Sequence, residues 1–339
     1  MSVRVALLGA GFIGAVHARN LAAHPAVEFV GVYDVDAERA AQVADVSGVG
    51  VIGIDAALDP AVADAVLIAS STDTHADLLG RAASAGLAVL CEKPIDLDLA
   101  RAIDTVERAE ATGCVAMVDF NRRFDADYAA LHAAVTAGDI GEVEFVQMTT
   151  RGPAVPPISY LAVSGGQMRD QTVHFFDLAR WITGMDPVSV FASGSVVTDP
   201  RVADVGDVDL SLVTLRMPTG ALVSIDSARR TAYGYDERIE VMGSAGLIEA
   251  GRQQTGSITR FGAGHAIVDG LHPGWFERVA DTYGRALDHF VSAVSSGERI
   301  GPTLSEALKA QAIAEAATRS LTSGMLETIH YPVGSVPVG

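Results

Sequence analysis

Asp170 and His174 stand four residues apart in the run GGQMRDQTVHFFDLARWITG, residues 165–184. On a helix that spacing puts both side chains on one face. The carboxylate can orient the ring, and the ring can take or give a proton near neutral pH. The same pair is common at surfaces and in satisfied cores, and only its surroundings separate the readings. A second signal is scarcity. Of 24 basic side chains only Lys93 and Lys309 are lysines. Where arginine supplies ordinary charge, a retained lysine points to chemistry that needs a titratable amine. Lys309 reads as a solvated residue of a C-terminal helix. Lys93 follows an apolar strand in Glu92-Lys93-Pro94, and the proline ends the ladder and restricts the residue before it. The sequence leaves open whether the Lys93-Pro94 bond is cis.

The elements around these residues decide what they can do. Met168, Thr172, Phe175, Ala179 and Ile182 form an apolar helical stripe, and Gly184 is the stop, so Asp170 and His174 point away from the packed side. The chain begins with a strand, VRVALL, then GAGFIG and a helix. Gly9, Gly11 and Gly14 fit the dinucleotide fingerprint: a tight turn, a close approach of backbone to pyrophosphate, and helix-to-sheet packing. The next strand ends in Asp34, placed to hold the adenosine ribose hydroxyls and to repel a 2′-phosphate, which selects NAD over NADP. Strands and helices then alternate: VGVIG and ADAVLIAS as strands, a helix from STDTHADLL with Thr72 or Asp73 as its cap, LAVLCEKP, another helix, and CVAMVDF. This is a parallel doubly wound sheet, and its ligands bind beyond the carboxyl ends of the strands. Gly9, Gly11, Phe12, Ile13, Asp34, Ser71, Thr72, His75, Glu92 and Lys93 are the cofactor candidates on that edge. For His75, an ordinary place in the first turn of a helix is an equal alternative.

From residue 121 the pattern changes. A helix, an alternating strand EVEFVQMTT and a Pro/Gly-rich loop lead to the Asp170/His174 helix. Mostly extended segments follow from Val188 to about residue 250, then helices near 275–297 and 303–323 and a short extended tail. The fold class is α/β, with a Rossmann domain over 1–120 and a C-terminal α/β domain over 121–339. The second domain carries a large, mainly antiparallel sheet, and the C-terminal helices are free to pack back on the first domain. A sheet with one open apolar face tends to be covered by another copy of the chain. Tyr233 and Tyr235, two apart, would face one side of a strand and could hydrogen-bond a polyhydroxylated ligand; packing in the sheet is the alternative. Arg122 and Arg123 open the second domain, and at least one of them can be structural.

Bulk properties narrow the classes. The formal net charge of −18 argues against nucleic acid and anionic membranes as partners. Hydrophobic residues are 49% and charged residues 19%, which fits a folded chain with a sizeable core. Two cysteines, Cys91 and Cys114, with no CxxC or Cys/His cluster, suggest a reducing cytoplasm and no metal site. No leader segment or apolar run of membrane-spanning length is expected. Neither lysine lies four residues after a tyrosine, so the Tyr-x-x-x-Lys pair of short-chain dehydrogenases is absent.

Taken with GAGFIG, STDTHADLL, CEKPIDL, NRRFD (121–125), SGGQMRDQTVHFFDLAR (164–180) and SARRTAYGYDERIEVMGS (227–244), the chain resembles the Gfo/Idh/MocA oxidoreductases nearly end to end. Within that family it is similar to the inositol-dehydrogenase branch. The resemblance implies NAD as cofactor, a homotetramer or dimer, and Lys93, Asp170 and His174 as the catalytic trio. It also implies substrate contacts from Arg123, Tyr233 and Tyr235. In that reading His174 is the general base, Asp170 orients it, and Lys93 steadies negative charge on the reacting oxygen of a secondary alcohol. Two departures stand out. That branch often has Arg-Asp-Pro where this chain has Arg151-Gly152-Pro153, and an acid after the histidine where this chain has Phe175. Both are read as removing a carboxylate near the substrate, with Gly152 opening space for a different ring. The alternatives to an inositol are another inositol isomer or a pyranose sugar, and, in another class, a non-catalytic NAD-binding sensor.

Overall fold

Short, wholly apolar strands separated by helices build the first of two units in this computed structural model, which describes residues 2–332. That unit comprises the residues up to Phe124 together with Asp281–Leu308; the second comprises Asp125–Ala280 and Lys309–Tyr331. In the first, β1 (Val3–Leu8), α1 (Phe12–Ala23), β2 (Val27–Tyr33), α2 (Ala37–Ser47), α3 (Ile54–Ala57), β3 (Ala65–Ile68), α4 (Thr72–Ser84), β4 (Ala88–Cys91), α5 (Leu99–Ala111) and β5 (Ala116–Val118) follow in order. The strands lie parallel as β2-β1-β3-β4-β5. All residues of β3 and β4 are buried, as a sheet covered on both faces requires. The order reverses between β1 and β3, so the ends of these strands form the switch point where such sheets bind ligands.

The second unit runs α6 (Ala126–Ala137), β6 (Val143–Arg151), α7 (Ile158–Leu161), a π-helical turn (Met168–Thr172) continuing into α8 (Val173–Thr183), β7 (Ser189–Ser195), α9 (Arg201–Asp204), β8 (Leu210–Arg216), β9 (Leu222–Ala228), β10 (Asp236–Gly243), β11 (Gly246–Ala250), and the hairpin β12 (Thr259–Gly262) and β13 (His265–Val268). Helices α10 (Trp275–Ser296) and α11 (Leu304–Ser323) and strand β14 (Glu327–Thr328) complete the chain, and residues 333–339 of the expected tail lie outside the described residues. Seven strands form one sheet, β11-β10-β6-β9-β8-β7-β14, antiparallel except for the β6–β9 pair. One face is apolar and covered: Val146, Met148, Val213, Leu215, Val223 and Ile225 are fully buried. The other face carries exposed Phe191, Leu210, Leu212 and Met242.

Residues of α10 beyond Asp281 finish the first unit. Leu287, Phe290 and Val291 pack into the core of Val5, Leu7, Leu67 and Leu90. Two local expectations fail. VGVIG forms no strand but a single bridge, Val32 to Val51, because too few residues pair to hold a ladder. The cap of α4 is Ser71 rather than Thr72 or Asp73. Among the described residues no helix is long and apolar enough to cross a membrane.

Lys309 is not solvated. It is 2% exposed, and its Nζ donates to Asp186 Oδ2, whose other oxygen accepts from Arg180 Nε at 2.7 Å. A helix near the end of the chain looked like a surface helix in the sequence, but α11 is covered along most of its length. Asp186→Asn removes the carboxylate that both buried cations bond, and should lower stability by about 3 kcal/mol. Chemical denaturation checks this; a loss under about 0.5 kcal/mol would show that the cations are held by other groups.

Candidate active site

In the first unit the glycine loop is shaped by backbone crowding. Gly9 has φ +106°, and a β-carbon there would lie 2.4 Å from Ala69 and Ser70 backbone atoms. A β-carbon on Gly14 would lie 2.1 Å from the Gly9 carbonyl oxygen. At Gly11, the residue before α1, a β-carbon would meet nothing within 4 Å. The three glycines thus differ: two permit the turn and the helix packing, and the third keeps one side of the loop open at a helix N-terminus, as a bound pyrophosphate needs. Asp34 is oriented by this loop, since Oδ2 accepts from the Ala10 amide at 2.7 Å and Oδ1 from the Asp36 amide at 2.8 Å. Each oxygen keeps a further lone pair for a ribose hydroxyl. These features fit a dinucleotide with an unphosphorylated adenosine ribose. Phe12 and Ser71 are exposed beside them, with Ile13 and Thr72 half-buried.

Lys93 follows β4 and precedes Pro94 through a cis peptide bond. The structure gives His75 a different job from cofactor contact. Its ring is buried, with Nδ1 2.8 Å from the Pro94 carbonyl oxygen and Nε2 3.1 Å from that of Ser70. His75 therefore ties the turn carrying Lys93 to the end of β3. Glu92 is also anchored: its Oε1 lies 2.9 Å from His17 Nε2, and that nitrogen is 3.7 Å from Asp119 Oδ2. Asp119 is buried, and neither of its oxygens has a hydrogen-bond partner among the described residues. Burial first, then the charge of Glu92, push its carboxyl well above the usual range against the pull of Arg122. Asp119 accordingly holds its proton to a higher pH than a free carboxyl does. Arg123 is buried in the same unit, donating from Nη1 to Glu306 Oε1 at 2.8 Å.

In the second unit the Asp170/His174 helix begins irregularly. Asp170 lies in the π-helical turn, and His174 is the second residue of α8. In that wider turn four residues fall short of one revolution, where in a regular α-helix they exceed it. The expected stripe is buried at every position: Met168, Thr172, Phe175, Ala179 and Ile182. Asp170 accepts from Tyr160 Oη at 2.7 Å and from Arg229 Nη1 at 3.0 Å. Arg229 Nη2 donates to Asp207 Oδ2 at 2.9 Å, and Asp207 Oδ1 accepts from the Gln167 amide at 2.7 Å. Burial and the charge of Asp170 push the Tyr160 phenol above its ordinary range, so it remains a donor.

Several expectations need correction here. Tyr233 and Tyr235 do not share a strand face, because β10 starts only at Asp236. Tyr233 is exposed and its hydroxyl meets Arg151 and Asp236, whereas Tyr235 is buried and its hydroxyl donates to Glu237 at 2.6 Å. Asp236 and Glu237 are adjacent on the strand and so point to opposite faces, taking the two phenols with them. Phe175 is fully buried, so the position after His174 faces the core. A β-carbon on Gly152 would lie 3.2 Å from the Arg229 carbonyl oxygen. The glycine thus accommodates the backbone of the residue that holds Asp170, and an aspartate there must displace it.

Sequence reasoning missed Tyr160, Asp207, Arg229, His17 and Asp119. Their separations along the chain follow no period. The available hints were a tyrosine in a Pro/Gly-rich loop, an arginine just past a strand end, and a histidine three residues beyond the glycine fingerprint.

With this geometry in place, the comparisons are direct. Residues 3–120 match the oxidoreductase family with an NAD-binding Rossmann fold, and residues 128–249 match the GFO/IDH/MocA C-terminal domain. The chain belongs to the GFO/IDH/MocA oxidoreductase family, and NAD is its cofactor. It is 42% identical to the inositol 2-dehydrogenase of Rhizobium meliloti over 95% of this chain and 97% of that one. It is 39% identical to the myo-inositol 2-dehydrogenase of Thermotoga maritima over 87% of this chain and 89% of that one. The crystal structure of a myo-inositol dehydrogenase from Corynebacterium glutamicum superposes with a TM-score of 0.92 at 35% identity, covering 98% of this chain and 100% of that one.

The raised Asp119 carboxyl has a thermodynamic consequence. The unfolded chain releases this proton near pH 4, whereas the folded chain releases it only at higher pH. Unfolding then releases a proton, so rising pH favours the unfolded state. Asp119→Asn has no proton to release, and its melting temperature should gain on the wild type as pH rises above about 4. A difference that stays flat with pH would mean that Asp119 is ionised when folded.

Proposed function

We propose that the protein oxidises a secondary hydroxyl of an inositol, using NAD. The observation that carries this is the Asp170 carboxylate, held by Tyr160 and Arg229 four residues before His174, on a unit that matches the family's C-terminal domain. The inositol dehydrogenases among its relatives, matched along nearly their whole length, support the ring as substrate. The two departures that suggested a different ring lose their force, because Phe175 faces the core and Gly152 lies against the Arg229 backbone.

Bound NAD supplies the acceptor for the hydride. The Gly11 side of the loop admits its pyrophosphate, and Asp34 holds the adenosine ribose. His174 takes the hydroxyl proton as general base. Asp170 orients the imidazole and steadies its protonated form. Lys93, fixed by the His75-anchored turn, donates to the reacting oxygen and offsets the negative charge that grows there. Glu92 serves the cofactor from its place beside His17. Arg123, bonded to Glu306, and Tyr233 and Tyr235, each engaged with a neighbouring side chain, shape their surroundings more than they offer free donors to substrate. The exposed Phe191, Leu210 and Leu212 support a homo-oligomer formed through the open sheet face.

The deciding experiment is a panel of myo-, scyllo- and chiro-inositol and glucose with NAD, with reduced cofactor followed by absorbance. An inositol should have the highest kcat/KM. His174→Ala should lose about 10²–10⁴ in kcat with NAD affinity intact. Glucose as the best substrate, or a His174→Ala rate within about threefold of wild type, would overturn the reading. For the assembly, Leu210→Asp with Leu212→Asp should reduce the mass in light scattering to one chain; an unchanged multimer would exclude this face, and a monomeric wild type would remove the oligomer altogether.

A further inference from the structure

Two side chains bond the Asp170 carboxylate directly, and one of them is held in turn by a second carboxylate. Tyr160 comes from α7 in the Pro/Gly-rich loop, Gln167 from the start of the helical turn, Asp207 from the loop before β8, and Arg229 from the residue after β9. Both Asp170 oxygens are taken: Oδ1 by the Tyr160 hydroxyl at 2.7 Å and Oδ2 by Arg229 Nη1 at 3.0 Å. The Arg229 side chain is 2% exposed, and its second nitrogen is bonded to Asp207 at 2.9 Å. Asp207 in turn holds the Gln167 amide, three residues before Asp170. One buried carboxylate therefore fixes both the start of the turn that carries Asp170 and the guanidinium that aims it.

We propose that Arg229, seated on Asp207, and Tyr160 are positioning residues that hold Asp170 as a hydrogen-bond acceptor in one orientation, so that His174 keeps the ring position its base chemistry requires. This rests on the acid–base reading of Asp170 and His174. Arginine suits the task because its planar fork bonds two carboxylates through two different nitrogens, whereas a lysine ammonium is a point charge on a flexible stem. Tyr160 is half exposed and adds little to any core, so the bond to Asp170 is what its placement achieves. Gly152 belongs to the same device: its amide donates to the Ala228 carbonyl at 2.8 Å, and its bare α-carbon leaves room for the Arg229 carbonyl.

A merely structural role and a positioning role separate in the kinetics. Steady-state kcat and KM for the best inositol, NAD affinity and melting temperature are measured for wild type, Tyr160→Phe, Arg229→Lys, Asp170→Asn and the Tyr160→Phe/Asp170→Asn double variant. Tyr160→Phe, which removes one hydroxyl from an exposed ring and threatens folding least, should lose about 3- to 10-fold in kcat. Arg229→Lys should lose about 10- to 100-fold. NAD affinity should not change in either. In the Asp170→Asn background the Tyr160→Phe loss should shrink to within about twofold, since two residues acting through one group do not add. The proposal is overturned if Tyr160→Phe keeps full kcat, if its effect falls on KM alone, or if it loses as much in the Asp170→Asn background as in wild type. Should Asp170→Asn itself keep wild-type kcat, the acid–base reading fails first and takes the clamp with it.

Discussion

A guanidinium buried between two carboxylates is the constraint on which the second unit's chemistry depends. Taking Arg229 out of water is costly, and only the pair of carboxylates offsets that cost. Asp170 and Asp207 must therefore stay within reach, and so must the segments that carry them. Strand β9 delivers Arg229 at its end, the loop before β8 delivers Asp207, and the π-helical turn delivers Asp170. A regular helix would have aimed Asp170 differently by part of a turn. The irregularity is held where Asp207 bonds the Gln167 amide, so the departure from α geometry and the ion cluster have one origin.

The first unit solves a related problem with backbone instead of charge. Its loop turns where Gly9 and Gly14 allow main chain to touch main chain, which no side chain would permit. Polar groups near the strand ends are then fastened to that frame: Asp34 to the Ala10 amide, His75 to the Ser70 and Pro94 carbonyls, Glu92 to His17. The raised Asp119 carboxyl follows from the same economy. Beside a buried imidazole and the Glu92 carboxylate, a second charge would be unsupported, and keeping the proton costs less than finding another cation.

Much of this was legible in the sequence because it is periodic or local. The parallel sheet came from alternating apolar runs, the open antiparallel sheet from period-two segments, and the glycine loop from a fixed spacing between a strand and a helix. The Asp170/His174 helix and its buried stripe were visible for the same reason. The clamp was not, since Tyr160, Asp207 and Arg229 are joined by tertiary folding and share no spacing with Asp170. The tyrosine pair failed for a local reason: alternation applies only inside a strand, and β10 begins one residue after Tyr235. The two lysines were equally rare. What separates them is place: Lys93 follows a strand end at the ligand edge, and Lys309 lies on a helix buried against Asp186.

The same distinction bears on how a family likeness should be read for substrate choice. A residue difference changes specificity only if its side chain can reach the ring. Phe175 cannot, because the position after His174 turns inward, and an acid there in a relative must meet different surroundings. Gly152 acts at one remove: a side chain there presses on the Arg229 carbonyl before it reaches any ligand. A Gly152→Asp change would therefore act first on the aim of Asp170, and so on turnover, with ring preference following only if the strand end relaxes. The acid–base pair and the residues around it are thus not independent here, because the backbone of the positioning arginine lies between Asp170 and Gly152.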